Sequence, residues 1–415
     1  MTSDDVQRRL RFKLPPALRS SAFTRTWIGS IVSSTGTQMN IVAAAWVLYR
    51  MTGSTIPLAI QGLCFSIPIA ILPLIAGPLV DRLDRFTVIK ATLILEAGTA
   101  GCLALLSALG ALHPIVFYIA AALDASRLAF TIPAQTAITP VLVPGEHLLS
   151  AQSLGMTVWS SSSLIGPAVG GLLLAQTGPS VVFAINALAT LVALGAIWPL
   201  RTAQFDTSVP SVQRLTDGFR YVLRRRWVLA LQLILACTST LAIAVETLLP
   251  ALVVSHWHSS SVGYGLLRAA PGVAALATGL SMSLISKVPK RPLPLIGGGL
   301  LATAGGVCVF TQAATIQLAW LLLAITALAI TVTQIVTSTH LQRHIPKQFL
   351  GVLGGLNAIS QSGVPGIGAA VTAGAANTIG SGTAILAAVA IMLPVSALAL
   401  GYLHRSGRYQ SATAG

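Results

Sequence analysis

The chain has 415 residues, 54% of them hydrophobic and only 8% charged. A soluble domain carries about 25% charged residues, so folding alone cannot keep this much apolar surface from water, and the long apolar runs predict an all-α integral membrane protein. The formal net charge of +15 does not signal nucleic acid, because the basic residues sit in loops between apolar runs, with no basic helix or aromatic-basic motif.

Residues 1–26 form a basic tail with Arg8, Arg9, Arg11, Lys13, Arg19 and Arg25. The next run, Trp27 to Tyr49, exceeds a signal-peptide core and is read as the first span. Further spans are predicted at 57–80, 87–109, 112–133, 153–175, 179–200, 227–250, 262–286, 293–312, 316–338, 351–374 and 381–403. Each is long enough to cross about 30 Å of hydrocarbon. If the amino terminus and every second loop are cytoplasmic, 22 of the 25 Lys and Arg fall inside. One, Arg50, falls outside, and Arg127 and Arg268 lie within spans. This bias predicts twelve helices in the cell membrane with both termini cytoplasmic.

The longest loop, 201–226, divides a six-span half (27–200) from a second (227–404), ahead of a short tail, 405–415. Its later part sets Leu215, Phe219 and Val222 against Arg214, Arg220 and Arg224, which predicts an amphipathic helix along the inner membrane surface. The halves read as copies. Gly166-Pro167-Ala168-Val169-Gly170-Gly171 in span five has a counterpart in Gly363-Val364-Pro365-Gly366-Ile367-Gly368 in span eleven. Two such halves imply a site between them near the membrane midplane and rocking of one on the other.

Between spans two and three stands Gly77-Pro78-Leu79-Val80-Asp81-Arg82-Leu83-Asp84-Arg85. So many charges cannot remain in hydrocarbon, so the chain surfaces there. It is either a plain solvated loop or a short turn that holds the two spans close. Gly77-x-x-x-Asp81-Arg82-x-Asp84-Arg85 resembles the loop 2–3 motif of the major facilitator superfamily, and the resemblance covers nearly the whole chain. Gly166-Pro167-x-x-Gly170-Gly171 resembles the span-five motif of its proton-coupled exporters. Gly36-Thr37-Gln38-Met39, Pro133-Ala134, Leu142-Val143-Pro144-x-Glu146 and Gly263-Tyr264-Gly265 look like its enterobactin-exporter-like branch, which includes macrolide and multidrug exporters. The resemblance implies that Asp81 caps the cytoplasmic end of span eleven, where a helix dipole favours a carboxylate. It also makes both motifs conformational gate elements. The second-half loop keeps Lys287, Lys290 and Arg291 but no acidic residue, so it cannot form the same lock.

Intramembrane charges are costly and mark cavities or partners. Those predicted are Glu96, Asp124, Arg127, Glu246 and Arg268. Asp124 and Arg127 stand three apart on one helix and can pair, either as a structural ion pair or as a proton site that loads when Arg127 moves away. Glu96 is a second proton candidate and Glu246 a third. Glu246 and Arg268, on consecutive spans, can pair as part of an outer gate. Candidates for a substrate cavity are Gln38, Gln61, Trp46, Arg268, Asn357 and Gln361. Asn40 is an alternative to Gln38, since two residues apart on a helix cannot share a face.

Cys64, Cys102, Cys237 and Cys308 lie in apolar runs without ligand spacing, so neither a disulfide framework nor a metal site is expected. No phosphate-binding loop for ATP occurs. The reading is a monomeric secondary exporter of an amphipathic small molecule, without cofactor, driven by a proton gradient, with sodium as the other possible coupling ion. An importer, a lysolipid flippase and a non-transporting receptor or scaffold are the alternatives; an enzyme is not expected.

Overall fold

The computed structural model describes residues 15–80, 83–200, 224–284, 292–346 and 350–405. Twelve helical rods run through them, with no strand among the described residues. In order the uninterrupted ones are Ser21–Thr52, Arg85–Ala108, Pro114–Leu142, Leu148–Thr177, Pro179–Ile197, Arg226–Ser255, Ser261–Leu284, Pro292–Thr311, Ile316–His344 and Ser381–Arg405. Span two is broken into Ile56–Ile71 and Pro73–Val80, and span eleven into Leu350–Ala358, a π-helical turn Ile359–Gly363, and Val364–Ile379.

Eight helices are by themselves long and apolar enough to cross a membrane. Of the other four, spans two and eleven are interrupted, span one is diluted in its middle by Thr35, Thr37, Gln38 and Asn40, and span eight carries Arg268. The bundle is apolar outside, with Leu149, Leu398 and Val371 exposed, and holds buried polar groups such as Glu96, Arg127 and Asn186 within. That inverts a soluble protein and suits a hydrocarbon solvent.

The packing repeats with an offset of six. Span one packs on five and six, three on six, two on four and three on four; likewise seven packs on eleven and twelve, nine on twelve, eight on ten and nine on ten. The halves meet through spans five with eight and two with eleven, which exchange under the same offset. Even the turns repeat. Gly178, between spans five and six, has φ 83°, and Gly380, between eleven and twelve, has φ 85°. L side chains rarely adopt that conformation.

Several expected boundaries move. Span one starts at Ser21, capped by the Ser20 hydroxyl accepting from the Phe23 amide at 3.3 Å, rather than at 27. Span four continues past Pro133 and Pro140 to Leu142, beyond the end expected at 133. Proline inside a membrane helix is tolerated because neighbouring groups satisfy the freed carbonyls. The guanidinium of Arg85 donates to the Ala137 carbonyl at 3.0 Å within this extension.

Candidate functional site

A cavity of about 320 Å³ lies between the halves. Thr37, Asn40, Ile41 and Ala44 of span one form one wall, at the i, i+3, i+4, i+7 spacing of a single helix face. Gln61, Phe65 and Ser66 of span two, Phe117 of span four and Asn186 of span six continue it. The second half contributes Glu246 and Thr247 of span seven, Tyr264 and Arg268 of span eight, and Ser362 and Gly366 of span eleven.

Two charge clusters face each other across this space. In the first half, Arg127 Nε and Nη2 donate to Asp124 Oδ1 at 2.9 and 2.7 Å. Its Nη1 pairs with Glu96 Oε2 at 3.3 Å, and the Thr37 hydroxyl donates to Glu96 Oε1. Glu96 and Arg127 are buried, whereas the Asp124 side chain is 27% exposed and lines the cavity. Spans three and four share a long interface, which brings Glu96 to the Asp124–Arg127 pair. Two carboxylates therefore share one guanidinium. In the second half, Arg268 Nη1 donates to Glu246 Oε1 at 3.0 Å, and its Nη2 pairs with Oε2 at 3.0 Å. This is a bidentate fork, the strong form of the carboxylate–guanidinium contact.

Above the cavity, at the end carrying the Gly53 and Gly178 turns, the halves are in contact. Trp46 stacks on Tyr264, with centroids 5.6 Å apart and planes at 19°. The Ser54 hydroxyl donates to Asn377 Oδ1 at 2.8 Å, and the Ser261 hydroxyl donates to the Gly171 carbonyl at 3.1 Å. Spans five and eight approach backbone to backbone. A Cβ added at Gly171 would meet Gly265 Cα at 2.8 Å, and one at Gly272 would meet the Leu164 amide at 2.6 Å. Gly166 and Gly170 serve span one instead: their added Cβ atoms would meet the Thr35 carbonyl and Met39 Cα, each at 2.9 Å. The Gly166-Pro167-x-x-Gly170-Gly171 segment thus has one face on its own half and the other on the partner half.

Of the expected cavity residues, Gln61 and Arg268 line it and four do not. Gln38 turns away, its Nε2 donating to the Ser163 hydroxyl at 3.3 Å, and Asn40 takes the cavity side. Trp46 lies behind Tyr264 rather than on the cavity surface. Asn357 accepts from Gln232 Nε2 at 2.7 Å, tying span eleven to span seven. At Gln361 the π-helical turn shifts the register, and Ser362 reaches the cavity in its place. Thr37, Phe65 and Phe117 were not foreseen; the 37/40/41/44 stripe is the signal that points to the first.

Asp81 and Arg82, and the 212–223 stretch of the expected surface helix, lie outside the described residues, as do Lys287, Lys290, Arg291 and the tails 1–14 and 406–415. Asp84 Oδ2 accepts from the Thr87 amide at 2.9 Å and caps span three, and Arg85 holds the extension of span four. No cluster of three or more metal-ligating side chains occurs among the described residues.

A family model described as transmembrane secretion effector matches residues 14–405. Among curated proteins, the enterobactin exporter EntS of Citrobacter koseri is 28% identical over 365 residues, 85% of each chain. The macrolide efflux protein A of Streptococcus pyogenes is 24% identical over 276 residues, 65% of this chain and 68% of that protein. Among solved structures, a bacterial homologue of the human lysosomal transporter Spinster, inward-facing and occupied, superposes with a TM-score of 0.73 at 17% identity. It covers 94% of this chain and 97% of that one. A POT family transporter in complex with a thioalcohol-conjugated peptide reaches 0.72 at 12% identity, covering 92% of this chain and 96% of that one. These two likenesses speak for the fold. With twelve rods in two interchangeable sets around a charged cavity, and a family match over nearly its whole length, the chain belongs to the transmembrane secretion effector family of major facilitator transporters.

Proposed function

We propose that this protein is a proton-driven exporter of amphipathic small organic molecules, working by alternating access in the cell membrane with both termini cytoplasmic. The observation that carries the coupling is the Glu96–Arg127–Asp124 cluster. When both carboxylates are ionised, one guanidinium leaves a negative charge uncompensated in a medium where unpaired charge is costly. One proton on either carboxylate neutralises the cluster, and Asp124, which lines the cavity, is the carboxylate that a proton reaches from there. The identified relatives are exporters, and the Gly-Pro-Gly-Gly segment supports the same direction of transport. With the Gly53 and Gly178 turns outside by the inside-positive census, the contacts there act as the extracellular seal of the cavity.

The experiment is efflux from cells, with and without a proton uncoupler, followed by transport in proteoliposomes under an imposed pH gradient. Export lowers accumulation, and the uncoupler removes the effect. Accumulation unchanged by the protein across a chemically broad panel counts against transport, and sodium-dependent efflux at zero pH gradient replaces the proton with sodium.

A further inference from the structure

Span nine repeats span three. Eleven residues past the first helical residue, where span three carries Glu96, span nine carries Thr303. The second half brings no matching charge: span ten, the counterpart of the span that supplies Arg127, has no Lys or Arg before Arg343. A small polar cavity stands there instead. About 10 Å³ of space lies between spans seven, nine and twelve, lined by Cys237, Thr238, Thr303, Ser396 and five apolar side chains. Its hydroxyls differ in what they leave over. Thr238 donates to the Ile234 and Leu235 carbonyls, each at 3.0 Å, and Ser396 to those of Met392 and Leu393 at 2.8 and 2.9 Å. Their hydrogens are engaged, and their lone pairs remain to accept. Thr303 is 0% exposed, and its hydroxyl has no hydrogen-bond partner among the described residues. Buried hydroxyls are as a rule paired, and an unpaired one is costly.

We infer that this cavity binds one water molecule, which accepts from the Thr303 hydroxyl and donates to the Thr238 and Ser396 oxygens. One hydrogen is received and two are given, and a buried water typically makes about three such bonds. The space is close to the least that one water requires, so nothing larger fits. With no carboxylate among the described lining residues, a cation has no counter-charge there. The water bridges spans seven, nine and twelve, where the first half joins spans one, three and four through Thr37, Glu96 and Arg127. The two copies thus treat one position differently, the first with an ionisable carboxyl and the second with a hydroxyl and a bound water. The site is independent of the direction and substrate of transport.

The test uses the full chain in lipid nanodiscs, with electron cryomicroscopy at a resolution that shows ordered water and thermal unfolding of variants. A density peak is expected about 2.7–3.0 Å from the Thr303, Thr238 and Ser396 oxygens. Thr303→Val keeps the side-chain shape and removes the hydroxyl, and its sign separates the two arrangements. If the water is bound, the valine deprives it of its donor and lowers the thermal midpoint. If the hydroxyl is unpaired, the valine removes a penalty and raises the midpoint. The expected result is a fall of about 1–2 °C. Ser396→Ala is expected to fall as well, and the double substitution to fall by less than the two together, because both act through one water. No peak where other buried waters are visible, an unchanged or raised midpoint for Thr303→Val, or strictly additive losses overturns the inference. Should neither variant fold, the density in the wild-type chain decides it.

Discussion

Trp46 of span one lies nearly parallel to Tyr264 of span eight, ring centroids 5.6 Å apart, so each half seats an aromatic ring on the other. Stacked pairs contribute about 0.5–1.5 kcal/mol beyond their buried area, and this one sits where the two halves close over the cavity. Trp46→Ala is expected to shift the balance toward opening at this end. A cysteine placed at Gln61 then reacts with a membrane-impermeant maleimide roughly fivefold faster, the factor for about 1 kcal/mol. An unchanged rate in well-folded protein would detach the stack from closure.

The shared guanidinium makes a different prediction. Removing one partner of a buried ionic cluster destabilises by about 3–5 kcal/mol. Arg127→Gln leaves Glu96 and Asp124 side by side without their cation, and a clear drop in thermal midpoint is expected. Asp124→Asn keeps a hydrogen-bond acceptor at Oδ1 and removes the surplus charge. Its midpoint stays close to that of the wild type, while uncoupler-sensitive efflux is lost. Full efflux by Asp124→Asn would take this carboxylate out of the coupling.

Glu246 and Arg268 form the only other ion pair lining the cavity among the described residues. Contacting residues commonly show coupling energies of about 0.5–3 kcal/mol in double-mutant cycles. Glu246→Gln and Arg268→Gln are each expected to lower thermal stability, and the double substitution to recover part of the loss. Strict additivity would mean that the fork contributes nothing beyond its separate charges.

Glycine at 171 permits the close approach of spans five and eight. A valine there meets the Gly265 backbone, which cannot yield as a flexible side chain would. Overpacking costs typically about 1–3 kcal/mol, and here the strain falls on the closed arrangement alone. Gly171→Val is expected to cut transport at least tenfold while the protein still inserts. Gly195→Ala, whose added Cβ meets nothing within 4 Å, serves as the silent control.

Much of this was legible in the sequence, for reasons that differ by residue. Apolar length and Lys/Arg placement report on the solvent around each helix, so the twelve rods and the repeat were accessible. Asp124 with Arg127 was accessible because both lie on one helix three residues apart. Glu96 was a candidate, but its contact with Arg127 was not readable, since nothing in the sequence gives the rotation of span three against span four. The same missing rotation put Gln38 in place of Asn40. Gln361 failed for another reason: a π-helical turn inserts a residue into the helical count, and face assignments beyond it slip. The continuation of span four through Pro133 and Pro140 defied the usual reading of proline as a stop, which holds best in water.

The breaks in spans two and eleven have a bearing on how the closed bundle yields. Leu72, just ahead of Pro73, interrupts one rod and the π-helical turn Ile359–Gly363 the other, and the two rods touch beside these breaks, where a Cβ at Gly363 would meet Ala70 Cβ at 2.7 Å. Each rod is thereby a two-piece lever with its joint at the same depth. In the proposed alternating-access cycle, a swing of the short pieces, Pro73–Val80 and Leu350–Ala358, about those joints would widen the mouth on that side while the long pieces stay clasped.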